Sequence, residues 1–423
     1  MHIEELYKLF KANPSVITDT RKIKEGDIFF ALKGPNFNGN HYTKQALEKG
    51  ASWCITDEST DSSSKRVIKV DNALHTLQLL AKLHRQQFDI PFIAITGSNG
   101  KTTTKELIHA VLSSKYKTYT TEGNLNNHIG IPITLLKIRP DAEMAVIEMG
   151  ANHQGEIKEY CTYTQPTHGL ITNVGKAHIE GFGSEEGVRK GKGELFDYLR
   201  DNQGTAFVYK VQDSLTVMSR GIQNIITYGN EKADHSGKIK SSDPFLEVAM
   251  ANGTEVNTKL VGGYNLPNII AAICVGRSFN IPEKDIKTSL ENYVPSNSRS
   301  QLIEKGSNMI ILDAYNANPS SMKAAILNFS KMQGNKKILI LGAMMEMGVQ
   351  SEQEHLDLVE LISGYKWDTV VLVGKNFENM SSEALYFHNS AEVKEWYAKQ
   401  DFKGMQILIK GSRSLKMEKV IED

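Results

Sequence analysis

The 423-residue chain balances 49 Lys and Arg against 49 Asp and Glu, with no long basic or acidic block. That excludes an electrostatic nucleic-acid surface and leaves small-molecule chemistry. The length exceeds one ordinary core and implies two to four domains, while three scattered cysteines (Cys54, Cys161, Cys274) suit reduced thiols in a cytosol better than a disulfide frame or a metal site.

The first residues, MHIEELYKLF, read as an amphipathic helix, not a secretory signal, and no apolar run approaches membrane-spanning length. Residues 1–88 read as a small α/β domain. Ile17-Thr18-Asp19-Thr20-Arg21 precedes a strand, Gly26 to Gly34, that runs into a glycine turn. Asn38-Gly39-Asn40-His41-Tyr42 follows, then a helix through Ala46 and Leu47 and a strand at Trp53-Cys54-Ile55. Thr20, Arg21, Lys33 and His41 fall at loop positions, where they can meet a diphosphate or sugar or be solvated turn residues. Asp57 to Lys65 is a polar loop. His75 and His84, on the helix Ala73 to Gln87, read as surface residues.

Residues 89–297 read as a second domain. Phe92-Ile93-Ala94-Ile95 is a buried parallel strand. It ends in Thr96-Gly97-Ser98-Asn99-Gly100-Lys101-Thr102-Thr103, and Leu107, Ile108, Val111 and Leu112 then recur at helical spacing. Strand, glycine loop and helix are the context of a phosphate loop: backbone amides and the helix N-terminus hold phosphate oxygens, Lys101 lies along the outer phosphates, and Thr102 offers a hydroxyl to magnesium. The loop is short, Gly-x-x-Gly-Lys-Thr-Thr, with Ile95 where the longer pattern has glycine; the alternative is a glycine turn with a surface lysine.

Two later strands, Ala145 to Glu148 and Gly169 to Asn173, begin apolar and end polar. Ligands of a doubly wound sheet sit beyond the carboxyl ends of its strands. Glu148 is therefore a magnesium ligand or a solvent-facing helix cap. Glu122 to Pro132 contains Asn124, Asn126 and Asn127, and reads as a substrate loop or an ordinary multi-turn connection. His178, a few residues past a strand end, can complete a hard-cation site or be structural. In the helix Ser184 to Arg200 nothing distinguishes Arg189, Lys190 or Lys192, and a lysine aimed at a cation would be repelled unless its charge changed. Gly262 to Asn268 leads a helix whose Ala271, Ala272 and Gly276 imply close packing.

Residues 298–423 form a third domain, with strands at Met309–Asp313, Lys337–Leu341, Thr369–Val373 and Gln406–Lys410 separated by helices: a second mostly parallel sheet. Polar groups again gather at strand ends, in Asp313-Ala314-Tyr315-Asn316-Ala317-Asn318-Pro319 and Lys410-Gly411-Ser412-Arg413. Asp313 and Asn316 are also available to cap the helix at Ser320.

Together GSNGKTTT, EGNLNNHIGIP, IEMGANHQGEI, ITNVGKAHIEGFGS, KGKGELF, GGYNLPN, DAYNANPSS and KGSRSLKME resemble the Mur ligases of peptidoglycan synthesis, from Asp19 to Glu418. The resemblance is strongest to members that add D-alanyl-D-alanine to UDP-N-acetylmuramoyl-tripeptide. It implies an α/β fold of three domains: a small N-terminal α/β domain, a central P-loop parallel sheet and a C-terminal Rossmann-like domain. It implies a cytoplasmic, monomeric, ATP-dependent amide ligase that works through an acyl phosphate. Gly97, Ser98, Asn99, Gly100, Lys101, Thr102 and Thr103 would bind ATP phosphates. Thr102 and Glu148 would hold one magnesium; Glu148, His178 and Lys192 resemble the set around a second, with Lys192 carbamylated and so turned anionic. Lys101, Glu148, His178 and Lys192 are thus the expected catalytic set. Asn265 and Asn268 match residues near adenine, and Arg299 and Asp313 match nucleotide contacts. Asp19, Thr20, Arg21, Lys33, Asn38, Gly39 and His41 resemble a uridine-diphosphate pocket. Asn124, Asn126 and Asn127 would approach the peptide. Tyr315, Asn316, Asn318, Ser320, Lys410, Ser412 and Arg413 fit the dipeptide side.

Four departures from the family pattern stand out: Ala343 for an aspartate, Tyr264 for a frequent histidine, Val211-Gln212-Asp213 for an acidic element, and His128 for an acidic residue. The alternatives are another amide ligase of the superfamily, either one adding the third amino acid or one of folylpolyglutamate type, and a noncatalytic nucleotide switch. No Asp-Asn-Pro-Arg motif supports the first, and the joint presence of Lys101, Glu148 and Lys192 opposes the switch.

Overall fold

The computed structural model describes residues 2–60, 64–334 and 336–422; residues 61–63 of the polar loop lie outside them. The chain builds three main sheets in succession. The first is four-stranded and parallel, in the order Val16–Ile17, Ile28–Phe30, Trp53–Thr56, Val67–Lys69. The helix Ile3–Ala12 buries Leu6 and Phe10, and it packs on the helix Ala73–Arg85.

The nine-stranded second sheet has Phe92–Thr96 in its interior, between Met144–Glu148 on one side and His168–Ile171 on the other. The chain passes from this strand first to one side and then to the other, which makes its carboxyl end a topological switch point. All five residues of Phe92–Thr96 are buried, because helices cover both faces of a parallel sheet. The strands Phe245–Met250 and Glu255–Val261 extend the far edge in antiparallel fashion.

In the six-stranded third sheet Gln406–Lys410 lies between Asn308–Asp313 and Lys337–Gly342, all parallel. Its register sets Asp313 beside Lys410.

One surface expectation is corrected. His84 is buried, its Nε2 on Ile138 O at 2.9 Å and its Nδ1 on the Tyr7 hydroxyl at 3.1 Å. The N-terminal helix covers that face, which periodicity within one helix does not reveal. His75 is exposed, as expected.

The phosphate-loop helix, Lys101–Leu112, packs against Leu266–Ser278. A Cβ at Gly276 would lie 2.6 Å from Val111 Cγ1 and 3.0 Å from Ile286 Cδ1. Gly276→Val should therefore push the two helices apart, costing about 1–3 kcal/mol in a thermal or denaturant melt. A melt indistinguishable from the parent would contradict this packing.

Candidate active site

The loop after Phe92–Thr96 needs its glycines. Gly97 has φ +141° and a Cβ there would sit 2.0 Å from Thr172 Oγ1; Gly100 has φ +78° and a Cβ would sit 2.7 Å from Asn268 Oδ1. Gly100 caps the helix without any side-chain hydrogen bond, so the first-turn amides remain available to an anion. Neighbouring elements hold the loop open. Ser98 N donates to Asn173 O at 2.9 Å, Ser98 Oγ to Gly175 O at 3.0 Å, and Asn99 N to Asn173 Oδ1 at 3.0 Å. From below, Asn268 accepts from Thr104 Oγ1 at 3.0 Å and donates to Asn265 at 2.9 Å. Lys101 Nζ donates to Gly97 O at 2.6 Å and Ser98 O at 3.3 Å. Burial holds its pKa below the usual lysine value, with Glu148 opposing and Arg299 reinforcing the shift.

Glu148 ends its strand one register step from the loop, paired with Ile95. It is 1% exposed, which rules out the solvent-facing cap. Its Oε1 accepts from Thr102 Oγ1 at 3.1 Å and from Asn126 Nδ2 at 2.7 Å. Its Oε2 is buried with no hydrogen-bond partner. Leaving such an oxygen unsatisfied costs about 1–3 kcal/mol, and a hard cation would satisfy it. Among the described residues no group of three or more His, Cys, Asp or Glu is gathered for a metal. A cation here would depend on Glu148, the Thr102 hydroxyl and oxygens from outside the protein.

His178 lines the same cavity. Its Nδ1 lies 2.5 Å from Glu346 Oε2 of the third sheet's loops. Lys192 stands just behind the wall, fully buried, with Nζ donating to Ala151 O at 2.9 Å and 4.9 Å from the Phe182 ring centroid. Among the described residues no carboxylate lies within ion-pair distance of it. Burial, reinforced by the charge of Lys101, drives its pKa well below the usual lysine value, as expected for an amine that cannot afford an unpaired charge in the interior.

The third sheet closes the opposite wall of a cavity of about 530 Å³. Asn318 caps the helix Pro319–Lys331 through Ser321 N at 2.9 Å and reaches Asn99 Oδ1 with its amide at 2.8 Å. The cap is thus Asn318, not Asp313 or Asn316: Asp313 accepts from Ser300 N at 3.1 Å and pairs with buried Lys410 at 2.6 Å. The Arg299 guanidinium lies 3.4 Å from the Tyr315 ring centroid, and its Nε is buried without a partner.

Of the expected site residues, Ser98–Thr103, Asn124, Asn126, Asn127, Glu148, His178, Asn265, Asn268, Arg299, Asp313, Tyr315, Asn316, Asn318, Ser320 and Lys410 all line this cavity. Gly97 lies in the loop below it. Ser412 is buried against Ala343 O at 3.4 Å, and Arg413 pairs with Glu418 at 3.0 Å; neither lines the cavity. The N-terminal set also stands apart. Arg21 pairs with Asp19 at 2.8 Å, Lys33 with Glu58 at 2.9 Å, and Asn38 donates to Glu58 at 2.8 Å. The Thr20 carbonyl accepts from Lys49, Gly39 packs on Leu32 O, and His41 is exposed.

The sequence reading missed Tyr160, Asn152, Glu156 and Ser300 in the lining. The first three belong to the segment after Glu148, whose strand-end position was the available signal. Gln212, in a departing segment, clasps Val174 N and O at 3.1 and 2.6 Å and so braces the strand end beside the loop. Ala343 is buried with its amide on Val373 O at 2.8 Å. Tyr264 reaches Ser300 Oγ at 3.0 Å.

Three family models match the chain in order: "Mur ligase family, catalytic domain" over residues 15–85, "Mur ligase middle domain" over 95–276, and "Mur ligase, glutamate ligase domain" over 298–413. UDP-N-acetylmuramoyl-tripeptide–D-alanyl-D-alanine ligase of Bacillus subtilis is 34% identical over 100% of this chain and 97% of its own. A crystal structure of MurF from Acinetobacter baumannii superposes with a TM-score of 0.87 at 30% identity, covering 98% of this chain and 97% of that one. MurF ligase from Thermotoga maritima in complex with ADP gives 0.86 at 28% identity, covering 97% and 96%.

Glu148→Gln keeps the size and one acceptor but removes the charge. It should raise the magnesium needed for half-maximal turnover by roughly 10- to 100-fold, while metal-free ADP binding changes little. An unchanged magnesium dependence would remove Glu148 from the cation site.

Proposed function

The chain belongs to the Mur ligase family, and from that premise we propose that it joins D-alanyl-D-alanine to UDP-N-acetylmuramoyl-tripeptide, converting ATP to ADP and phosphate, in peptidoglycan precursor synthesis. The observation that carries the reading is that the glycine loop and the Asp313–Ser320 segment face each other across one cavity. Nucleotide chemistry on one wall can there meet an acceptor amine held by the other. A switch needs no such second wall.

The tripeptide carboxylate attacks the γ-phosphorus, the bond to the bridging oxygen of ADP breaks, and an acyl phosphate forms. The dipeptide amine then attacks the acyl carbon, phosphate leaves, and the amine gives up a proton. In the first step like charges meet, at a cost of about 4 kcal/mol per pair at roughly 4 Å and an effective dielectric of about 20. Lys101 and the free amides of the loop offset part of this. The unpartnered Glu148 oxygen and the Thr102 hydroxyl would hold one magnesium, and Glu148, His178 and Lys192, the last as a carbamate, would hold a second. Magnesium, when bound, neutralises charge on the phosphoryl oxygens. Lys192 fits this role as a carbamate: its burial without a carboxylate partner favours the neutral amine, whose lone pair adds to carbon dioxide with loss of a proton.

Asp19, Thr20, Arg21, Lys33, Asn38, Gly39 and His41 would bind the uridine diphosphate. The Asn124–Asn127 loop would guide the peptide, Asn265, Asn268, Arg299 and Asp313 would serve the nucleotide, and Tyr315, Asn316, Asn318, Ser320 and the Lys410–Arg413 loop the dipeptide. We take the domains as residues 1–88, 89–297 and 298–423. Left-handed φ values at Asn297, Ser298 and Ser300 (56°, 55° and 49°) support a hinge at the second boundary. Closure there would keep water from the acyl phosphate. Among the described residues no helix is long and apolar enough to cross a membrane, and we place the enzyme in the cytoplasm as a monomer.

Phosphate release by the purified protein should require both UDP-tripeptide and D-alanyl-D-alanine, with a new amide bond in the product seen by mass spectrometry. Release driven by ATP alone at the same rate would favour a switch. Lys192→Ala should lose activity by about 100-fold or more and regain part of it with added acetate or formate. Parent-like turnover without rescue would rule out the carbamate.

A further inference from the structure

Glu346 is the residue of the third domain that meets His178. The pair is 2.5 Å apart between Nδ1 and Oε2, and it is backed by a main-chain bond from Glu180 N to Glu346 O at 3.3 Å. Both residues hold left-handed backbones, φ +54° for His178 and +62° for Glu346. Non-glycine residues adopt that region at a cost, and two of them meeting across a domain boundary mark a constrained contact.

The loop that carries Glu346 is held at both ends. Fully buried His355 accepts from Met344 N with Nε2 at 3.0 Å and donates from Nδ1 to Ser351 O at 2.6 Å. On the same helix Glu354 pairs with Lys176, two residues before His178, at 2.6 Å. Glu346 is thus presented on a fixed shelf to a segment that is itself tied to the phosphate loop through Gly175 and Ser98.

We propose that Glu346 positions His178 for the cation: by accepting the Nδ1 proton it fixes the tautomer that leaves the Nε2 lone pair for the cavity. His178 lines the cavity and Glu346 does not, so Glu346 acts through the imidazole. Such carboxylate partners orient metal-bound histidines and raise their basicity. Because the carboxylate comes from the third domain, the cation side of the site is complete only when that domain is docked. The inference rests on the reading of His178 as a magnesium-facing group.

The test is Mn²⁺ binding to the full-length protein with ADP present, read from the electron paramagnetic resonance of free Mn²⁺, so that turnover is not involved. Glu346→Ala should weaken binding by about tenfold. Glu346→Gln, whose amide oxygen still accepts the Nδ1 proton, should lose only severalfold. The double variant with His178→Ala should bind no more weakly than His178→Ala alone, and ADP affinity without metal should stay at the parent value. If Glu346→Ala lowers the melting temperature, the Gln variant carries the comparison, because it keeps the side chain's size. Parent-like Mn²⁺ affinity in both Glu346 variants, with a loss in His178→Ala, overturns this inference and leaves the magnesium reading standing. Additive losses in the double variant overturn it as well. Parent-like affinity in His178→Ala overturns both.

Discussion

The site depends on a buried carboxylate that the protein leaves half satisfied. Glu148 spends one oxygen on Thr102 and Asn126 and keeps the other inside the molecule without a partner. Folding into that arrangement is unfavourable by itself. A cation would give that oxygen its missing partner. Lys192 is a second buried group of this kind, an amine whose single hydrogen bond among the described residues is to a carbonyl.

Strand topology explains why these groups meet. Phe92–Thr96 sits where the winding of the sheet reverses, so the strands on either side deliver Glu148 and Asn173 to the two flanks of one glycine loop. The third sheet repeats the device: adjacent strands put Asp313 and Lys410 side by side at its own carboxyl edge. Two such edges facing each other give a cavity with the glycine loop on one wall and the Asp313–Ser320 segment on the other. Neither sheet alone provides both.

The contact between those walls combines polar pairs with apolar packing, Ile179 and Phe182 belonging to one buried cluster with Ala317, Met322, Met344 and Met347. Asn318 to Asn99, Lys176 to Glu354 and Glu346 to His178 span it, all at hydrogen-bond length. The phosphate-loop helix is in turn packed on Leu266–Ser278 through a second apolar cluster.

Much of the chemistry was legible in the chain because it is local. A glycine loop between an apolar strand and a helical repeat must fold as it does, and a strand ending in a carboxylate must place that carboxylate at the sheet edge. Motifs spread over the whole length named the family for the same reason. What the sequence could not give is which polar groups find each other across separate elements. His84 reads as a surface residue until the N-terminal helix covers it. The helix cap belongs to Asn318, not to Asp313 or Asn316, because Lys410 arrives from a strand almost a hundred positions away to claim Asp313. Glu346 carries no signal at all until the third domain sets it on His178. Spacing along the chain determines local geometry and sheet edges. Pairing across domains, and the decision of which buried charge keeps a partner, belong to the tertiary structure, since only there are distances between remote residues defined.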